Sequence, residues 1–397
     1  MTSICRRIAL APVLPALLAT LLTVAAGGPA RADEREPWVR AWGLNTSGQL
    51  GNGTTIDQQT PTAVRGLARD DVRELAGGGG NATNSFAVAL LQDGTVQAWG
   101  GGARGQLGDG TTLSRPHPAA VAGLSGVSEV AAGLMTAYAV RDGRVLAWGD
   151  NTRGQLGGGT TAAAADPPTT RPVSVQSLNK VTDIAAGCYH AVALREDGSV
   201  WTWGMNEDGQ LGIASTTDRD TPQRVAGLPD VVAVAAGCRH TLALTADGTV
   251  KAWGRGTSGQ LGNDATANSP VPVDVRHLRD VAKIFAGAYH GFALLDDGTV
   301  HAWGWNVGGQ LGDGSTVNRT TPVPLPDLTG IVAMTGGWRH TLAVLDDQSV
   351  LAWGENTNGQ LGDGGTTASP TPVRVLPPGS GTTRVATATA WNSSYAY

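Results

Sequence analysis

Four histidines recur at intervals of 50 residues, at His190, His240, His290 and His340. Imidazole is a common metal ligand, so four of them could form a metal site. Such a site needs its ligands to converge within about 2.1 Å of one ion. The equal spacing indicates instead that each histidine occupies the same place in a successive repeat. We therefore predict no metal site, and we expect each imidazole to hydrogen-bond within its own repeat.

Two cysteines, Cys188 and Cys238, also occupy matching positions in adjacent repeats. The third cysteine, Cys5, precedes an apolar run at the N-terminus. In an exported protein a disulfide between Cys188 and Cys238 requires Cα atoms no more than about 6.8 Å apart. Two free, buried thiols are the alternative, and the sequence leaves both open.

Catalytic chemistry has little support in the sequence. Acidic residues occur singly or in repeated Asp-Gly pairs, and we find no nucleophile, base and acid set apart from the repeat. The Gly-Gln-Leu-Gly strings lack the Lys-Ser/Thr that a phosphate-binding loop requires. We predict that the chain is not an enzyme and binds no cofactor.

Binding chemistry is better supported, at positions that vary within a constant frame. Alternation along the strands should bring the residues before each histidine position and the residues after each Trp-Gly pair to one face. There they include residue types enriched in binding hot spots: Tyr189, Arg239, Arg255, Tyr289, Trp305, Trp338 and Arg339. We interpret this face as a protein-binding surface. Incidental packing is the alternative, and glycan binding through Trp305 and Trp338 is another.

The frame itself is a sevenfold repeat. Trp-Gly pairs begin at Trp42, Trp99, Trp148, Trp203, Trp253, Trp303 and Trp353, and each is followed by Gly-Gln-Leu-Gly. Glycine makes up 57 of 397 residues, well above the usual ~7 %. Such a composition suits many tight turns, and the repeat overrides a domain count based on length.

Each repeat predicts four short antiparallel strands. In residues 231–280 we expect strands at 231–236, 240–244 and 249–253, and an outer, proline-bearing strand at 270–275. Asp247-Gly248 predicts a two-residue hairpin, and the pair recurs in most units. At Asp347-Gln348 the glycine is missing, so we expect a different turn there. The predicted fold is all-β, a seven-bladed β-propeller with four-stranded antiparallel blades.

The two ends of the chain should complete one blade together. Residues 385–397 align with residues 181–193, which places Ser394 at the histidine position and supplies two strands. Residues 38–42 supply the third strand. Closure of this kind leaves no open sheet edge, and we predict a single domain over residues 33–397.

Residues 1–32 read as an export signal. Arg6 and Arg7 precede an apolar run, and Ala30-Arg31-Ala32 resembles a cleavage site. An uncleaved membrane anchor is the alternative, and the export route is open. The net charge is −5 and falls further on removal of three arginines, which argues against nucleic-acid binding. We expect a secreted, monomeric protein with no membrane contact after cleavage.

The ordered motifs resemble one known family. Ala-Ala-Gly-Cys-Tyr-His at 185–190, Asp-Gly-Ser-Val-Trp-Thr-Trp-Gly at 197–204 and Gly-Gln-Leu-Gly at 209–212 are similar to the regulator of chromosome condensation repeat. The resemblance implies a seven-bladed propeller. Its members include a guanine-nucleotide exchange factor, chromatin-associated proteins and secreted bacterial β-lactamase inhibitors. It therefore leaves GTPase regulation as an alternative function if the export prediction is wrong, and β-lactamase as one conceivable partner.

Overall fold

The alternating segments that end in Trp-Gly form strands, and these assemble into seven four-stranded antiparallel sheets. The computed structural model describes residues 38–80, 83–163, 166–388 and 392–397. The predicted export signal, residues 1–32, lies outside them. Apart from one short 3₁₀ turn at Arg69–Asp71, the elements are strands: β1 Trp38–Gly43, β2 Gln58–Ala68, β3 Val72–Gly78, β4 Phe86–Leu91, β5 Val96–Gly100, β6 Arg115–Ala120, β7 Val127–Ala132, β8 Thr136–Arg141, β9 Arg144–Gly149, β10 Thr169–Ser174, β11 Val181–Ala186, β12 His190–Arg195, β13 Val200–Gly204, β14 Arg219–Arg224, β15 Val231–Ala236, β16 His240–Thr245, β17 Val250–Gly254, β18 Ser269–Asp274, β19 Val281–Ala286, β20 His290–Leu295, β21 Val300–Gly304, β22 Arg319–Pro324, β23 Ile331–Gly336, β24 His340–Leu345, β25 Val350–Gly354, β26 Ser369–Leu376, β27 Val385–Thr387 and β28 Ser393–Ala396.

We number the blades by the order of their Trp-Gly pairs. Blades 2 to 7 each use four consecutive strands, from β3–β6 to β23–β26. Blade 1 has the order β2-β1-β28-β27, so strands from both ends of the chain share one sheet. The predicted seven blades and their closure by the termini are confirmed. No helix in the described part of the chain has the length and apolarity to cross a bilayer.

Burial follows the radial position of each strand. In blade 5 the second strand, β16, is buried at every residue because neighbouring blades cover both of its faces. The fourth strand, β18, is mostly half-buried or exposed and carries Pro270 and Pro272. Proline cannot donate to a sheet ladder, so it is tolerated at this outer edge. The outer strand predicted at 270–275 lies at Ser269–Asp274.

Each Trp of a Trp-Gly pair ties its blade to the preceding one. All seven indoles are fully buried. Each donates its Nε1–H to the backbone carbonyl of Gln in the Gly-Gln-Leu-Gly loop of the preceding blade, at 2.8–3.0 Å, as Trp253 does to Gln210. The series closes where Trp42 of blade 1 binds Gln360 of blade 7. The repeated motif is therefore one structural joint used seven times.

Three of the four histidines form a second contact between blades, so our expectation that each bonds within its own blade is wrong. His190 Nε2 lies 3.1 Å from Thr241 Oγ1 of the next blade, and His340 Nε2 lies 3.0 Å from Ser394 Oγ of blade 1. The strand register puts Ser393, not Ser394, at the histidine position, since Gly43 pairs with Ser393. Full burial lowers the pKa of His190 to about 3, so the imidazole is neutral.

The hairpins between the second and third strands differ from the prediction. Only blade 3 has the two-residue turn with two positive φ angles, at Asp142 and Gly143. In blade 6 only Gly298 has positive φ, because one more residue separates the strands. Gln348 also adopts φ +67°, and its N–H binds Leu345 O as Gly298 binds Leu295 O. The expectation of a different turn at Gln348 is therefore wrong.

Gln348 should carry a backbone strain that glycine would relieve. Left-handed φ costs a non-glycine residue about 1–2 kcal/mol. We expect Gln348→Gly to raise the free energy of unfolding, measured by urea titration, by about 1 kcal/mol. Gly298→Gln, at the matching turn with no atom crowding its Cβ, should lower it similarly. Equal stabilities for both variants and the parent chain would contradict this account.

Candidate functional site

The two predicted sets of loops lie on one side of the ring, which we call the loop face. In each blade the residue after Trp-Gly donates its N–H to the carbonyl of the residue before the histidine position, as Trp305 does to Tyr289 at 2.9 Å and Arg255 does to Arg239 at 2.8 Å. The same bond occurs in all seven blades. The backbone of this face is thus constant, and its side chains vary.

Three predicted side chains meet in one place. Tyr289, Trp305 and Trp338, which we call the aromatic cluster, pack edge to face with one another. Their ring centroids are 5.2 Å apart for Tyr289 and Trp338, 5.6 Å for Tyr289 and Trp305, and 6.2 Å for the two Trp rings. All three are half-buried. Edge-to-face packing fixes the orientation of each ring, so the cluster is rigid before any partner arrives.

Two predicted arginines flank this cluster. The Arg339 guanidinium lies 4.7 Å from the centroid of the Trp305 ring, and that of Arg255 lies 5.7 Å from the Tyr289 ring. These are distances at which a cation is attracted to an aromatic face. Arg239, also predicted, points elsewhere and forms an ion pair with Asp208 at 3.0 Å.

Tyr189 joins the cluster through an apolar base. Cys188, Cys238 and Ala288 are buried together, and Leu134, Tyr189, Tyr289 and Trp338 pack against them. Burial raises the pKa of Tyr189 and of Tyr289 above the usual tyrosine value, so both hydroxyls are neutral. Six of the seven predicted residues therefore share one continuous surface, and Arg239 lies at its margin.

A covalent bond holds this base. Cys188 and Cys238 form a disulfide with their Cα atoms 4.4 Å apart, which resolves the choice that the sequence left open. Backbone hydrogen bonds also connect these blades: Cys188 N–H donates to Cys238 O, and Cys238 N–H donates to Ala288 O. The residues just after the cysteines, Tyr189 and Arg239, are positioned by this link.

The sequence analysis missed one set of residues on the loop face, those immediately before Gly-Gln-Leu-Gly. Their N–H groups all bind the Oε1 atom of the motif Gln, as Asp208 binds Gln210 at 3.0 Å. Their side chains are free to vary, and Arg153 binds Glu207 at 2.8 Å while Asp208 binds Arg239. The sequence contained this information, because the residue before Gly-Gln-Leu-Gly differs between repeats whereas the tetrapeptide itself does not.

Carboxyl groups meet at the innermost strands of three adjacent blades, contrary to the expectation that acidic residues are scattered singly. Glu74, Glu129 and Asp183 occupy the third position of the innermost strands of blades 2, 3 and 4. Each accepts an N–H from the innermost strand of the next blade, at 3.0 Å from Val130, 3.2 Å from Ile184 and 3.2 Å from Val234. The sequence could have indicated this arrangement, because the three carboxyls occupy the same position in three successive repeats.

The environment of these carboxyls favours protonation. Burial is the main cause that raises the pKa of Glu74 to about 7, against smaller lowering effects from the Val130 N–H and Arg384. Burial and the Asp183 charge raise the pKa of Glu129, and the two side chains share a hydrogen bond. The central cavity, about 560 Å³, is lined by Glu74, Lys283 and Tyr397 among other residues. Among the described residues no three ligand side chains are grouped to hold a metal ion.

Loss of the disulfide should destabilise the ring. Cross-links that close loops of tens of residues typically contribute about 2–4 kcal/mol, and the Cys188–Cys238 separation is 50. We expect Cys188→Ala with Cys238→Ala to lower the free energy of unfolding by that amount in urea titrations. Added reductant should destabilise the parent chain but not the double variant. Unchanged unfolding of the parent in reductant would contradict the prediction.

The Glu74 carboxyl should contribute less to stability as pH rises. The folded chain keeps the Glu74 proton up to about pH 7, whereas the unfolded chain loses it near pH 4.5. The stability that Glu74 contributes therefore falls between these values. Glu74→Gln, which retains an acceptor for Val130, should match the parent at pH 4 and exceed its stability at pH 8 by about 1–2 kcal/mol. Glu196→Gln, an exposed control, should leave the pH profile unchanged. A stability difference between Glu74→Gln and the parent that stays constant from pH 4 to pH 8 would contradict this.

Comparison with known proteins agrees with the repeat and the fold. Residues 129–397 match the RCC1-like domain, and residues 39–83 and 93–140 match the regulator of chromosome condensation (RCC1) repeat. The human E3 ubiquitin-protein ligase HERC2 is 34 % identical over 184 residues, 46 % of this chain and 4 % of HERC2. The ultraviolet-B receptor UVR8 of Arabidopsis thaliana is 35 % identical over 186 residues, 46 % of this chain and 41 % of the receptor. The match thus spans less than half the length of either relative.

Solved structures share the whole ring. Human WBSCR16 superposes with a TM-score of 0.79 at 23 % identity, covering 90 % of this chain and 98 % of that one. Prp20p of Saccharomyces cerevisiae, described with its binding to Gsp1p and histones, has a TM-score of 0.77 at 22 % identity and covers 90 % of each chain. At this identity the likeness shows the fold alone. With the matched residues spread over most of the propeller, this chain belongs to the regulator of chromosome condensation repeat family.

Proposed function

We propose that this chain is an exported protein-binding module that acts without catalysis, as an inhibitor or adaptor of another extracellular protein. The observation that carries the proposal is the aromatic cluster with its two flanking arginines. Trp, Tyr and Arg dominate binding hot spots, which are rigid and surrounded by a polar rim. Ion pairs such as Arg153–Glu207 supply such a rim here.

The division between constant and variable residues supports the same function. The repeated Trp and Gln residues are buried and bonded within the scaffold. The residues that change from blade to blade reach the loop face, where loops on a rigid scaffold commonly carry function. A protein of this fold, Prp20p, has been described with its binding to Gsp1p and histones.

Export is supported by two independent features. The first 32 residues have the charged, apolar and small-residue order of a signal peptide. The disulfide between Cys188 and Cys238 suits an oxidising compartment, since such bonds are rare in the cytosol.

Catalysis in the channel has weaker support than binding at the loop face. Glu74, Glu129 and Asp183 each accept a backbone N–H from the adjacent blade, which gives them a structural task. Neutral, buried histidines are likewise engaged between blades, as His190 is with Thr241.

Affinity capture from the extracellular fraction tests the proposal. Chain recovered from the medium should begin at Asp33 and should capture a defined protein. Trp305→Ala with Trp338→Ala should weaken direct binding of that protein by about tenfold or more, since hot-spot truncations cost about 2 kcal/mol. Val173→Ala with Val271→Ala, at partly exposed positions on the outer strands, is the matched control.

Three outcomes would count against the proposal. Equal capture by parent and Trp variant, with both folded by circular dichroism, would exclude the aromatic cluster. Binding of neutral polysaccharide in place of protein would favour a glycan function. Recovery of the chain only from the cytosol, with Met1 retained, would exclude export and favour an intracellular partner.

A further inference from the structure

The charges around the aromatic cluster indicate what kind of partner segment fits it. Two arginines of the loop face are neutralised within the chain. Arg153 binds Glu207 at 2.8 Å and Asp218 at 3.3 Å, and Arg239 binds Asp208 at 3.0 Å. Arg153 and Arg239 therefore offer little charge to a partner. The arginines at the cluster, Arg255 and Arg339, are the ones whose charge a partner segment would meet.

Arg255 has no carboxylate partner within the described ranges. Its Nε donates to Thr257 Oγ1 at 2.9 Å, and its guanidinium stays over the Tyr289 ring. Guanidinium presents five donors in a planar fork that matches a carboxylate. The remaining donors of Arg255 therefore form an open carboxylate-binding group beside an apolar surface.

Arg339 is only partly satisfied on the other side of the cluster. Its Nη1 lies 3.5 Å from Glu355 Oε2, at the outer limit of a hydrogen bond. Its buried Nε finds no hydrogen-bond partner in the described part of the chain. Stacking on Trp305 at 4.7 Å holds this guanidinium in place. Arg255 and Arg339 are two preoriented cations, and Glu355 forms an ion pair with only one of them, so the cluster carries positive charge on a chain whose net charge is −5.

Stacked guanidinium groups also reduce the area available to a sugar ring. Arg255 and Arg339 each cover part of one aromatic ring, and the three rings otherwise contact one another by their edges. A nucleic acid would meet the negative charge of the chain as a whole. A polypeptide that places a carboxylate next to an apolar side chain satisfies both the arginines and the cluster.

We propose, on the basis of the function proposed above, that the aromatic cluster with Arg255 and Arg339 binds an acidic peptide segment of the partner. An Asp or Glu side chain pairs with the guanidinium groups, and a neighbouring aromatic or aliphatic side chain packs on Tyr289, Trp305 and Trp338. Charge pairing at this site should make binding sensitive to salt.

Selection of a phage-displayed library of random 12-residue peptides tests this inference. Peptides enriched on the folded chain should carry Asp or Glu next to an aromatic or aliphatic residue. Synthetic copies should bind about tenfold more weakly to Arg255→Gln with Arg339→Gln, and Arg255→Lys with Arg339→Lys should restore part of the affinity. Replacing the acidic residue of the peptide by its amide should have the same effect as the Gln variant.

Arg224→Gln, an exposed position on β14, serves as the matched control and should leave binding unchanged. Enriched peptides that need Trp305 and Trp338 but are neutral would overturn the acidic specificity and leave the proposed function standing. Peptides that bind parent and Trp305→Ala, Trp338→Ala variant equally, or an absence of enrichment, would overturn the acidic-peptide assignment, whereas the proposed function fails only if the affinity capture described above fails. Binding of alginate, an acidic polysaccharide, without peptide binding would overturn the peptide assignment.

Discussion

The structure depends on one hydrogen bond, from a buried Trp indole of one blade to the Gln carbonyl of the preceding blade. It is made seven times, including across the junction from Trp42 to Gln360. A buried indole N–H without an acceptor costs about 1–3 kcal/mol, so neither partner can be lost cheaply. The same Gln binds the preceding loop N–H through its Oε1 atom. One residue thus joins adjacent blades and fixes the backbone from which variable side chains project.

Other contacts between blades lie closer to the central axis and are not made by every blade. At the second strands, His190 binds Thr241, but the position that corresponds to Thr241 in the blade after His240 is Gly291, and no described residue hydrogen-bonds to either ring nitrogen of His240. At the innermost strands only three blades use a carboxyl, as Glu74 does with Val130. The Trp–Gln hydrogen bond is therefore made by all seven blades, whereas the histidine and carboxyl contacts are made by only some of them. Local joints can be exchanged without loss of the ring, because the Trp–Gln bond continues around it.

The sequence predicts most of this fold because the repeat fixes the strands, the blade count and the closure by the termini. It fails where the answer depends on contacts between blades. The histidine partner lies 51 residues away, in a different repeat, and the carboxyls of Glu129 and Asp183 meet only in the closed ring. The turn at Gln348 was mispredicted because the constant hairpin imposed a positive φ on a residue that disfavours it.

On the loop face, too, the sequence predicts which residues are present but not which of them contact one another. Variable positions identified Tyr289, Trp305 and Trp338 from the sequence, since alternation and repeat phase determine the face of each residue. Which of them touch, and that Arg239 leaves the cluster for Asp208, depends on side chains from three different blades. Rigid rings, stacked guanidinium groups and a disulfide beneath them lower the entropy lost on binding. A scaffold that holds its backbone by invariant joints can therefore change its partner by altering side chains alone, without altering the fold.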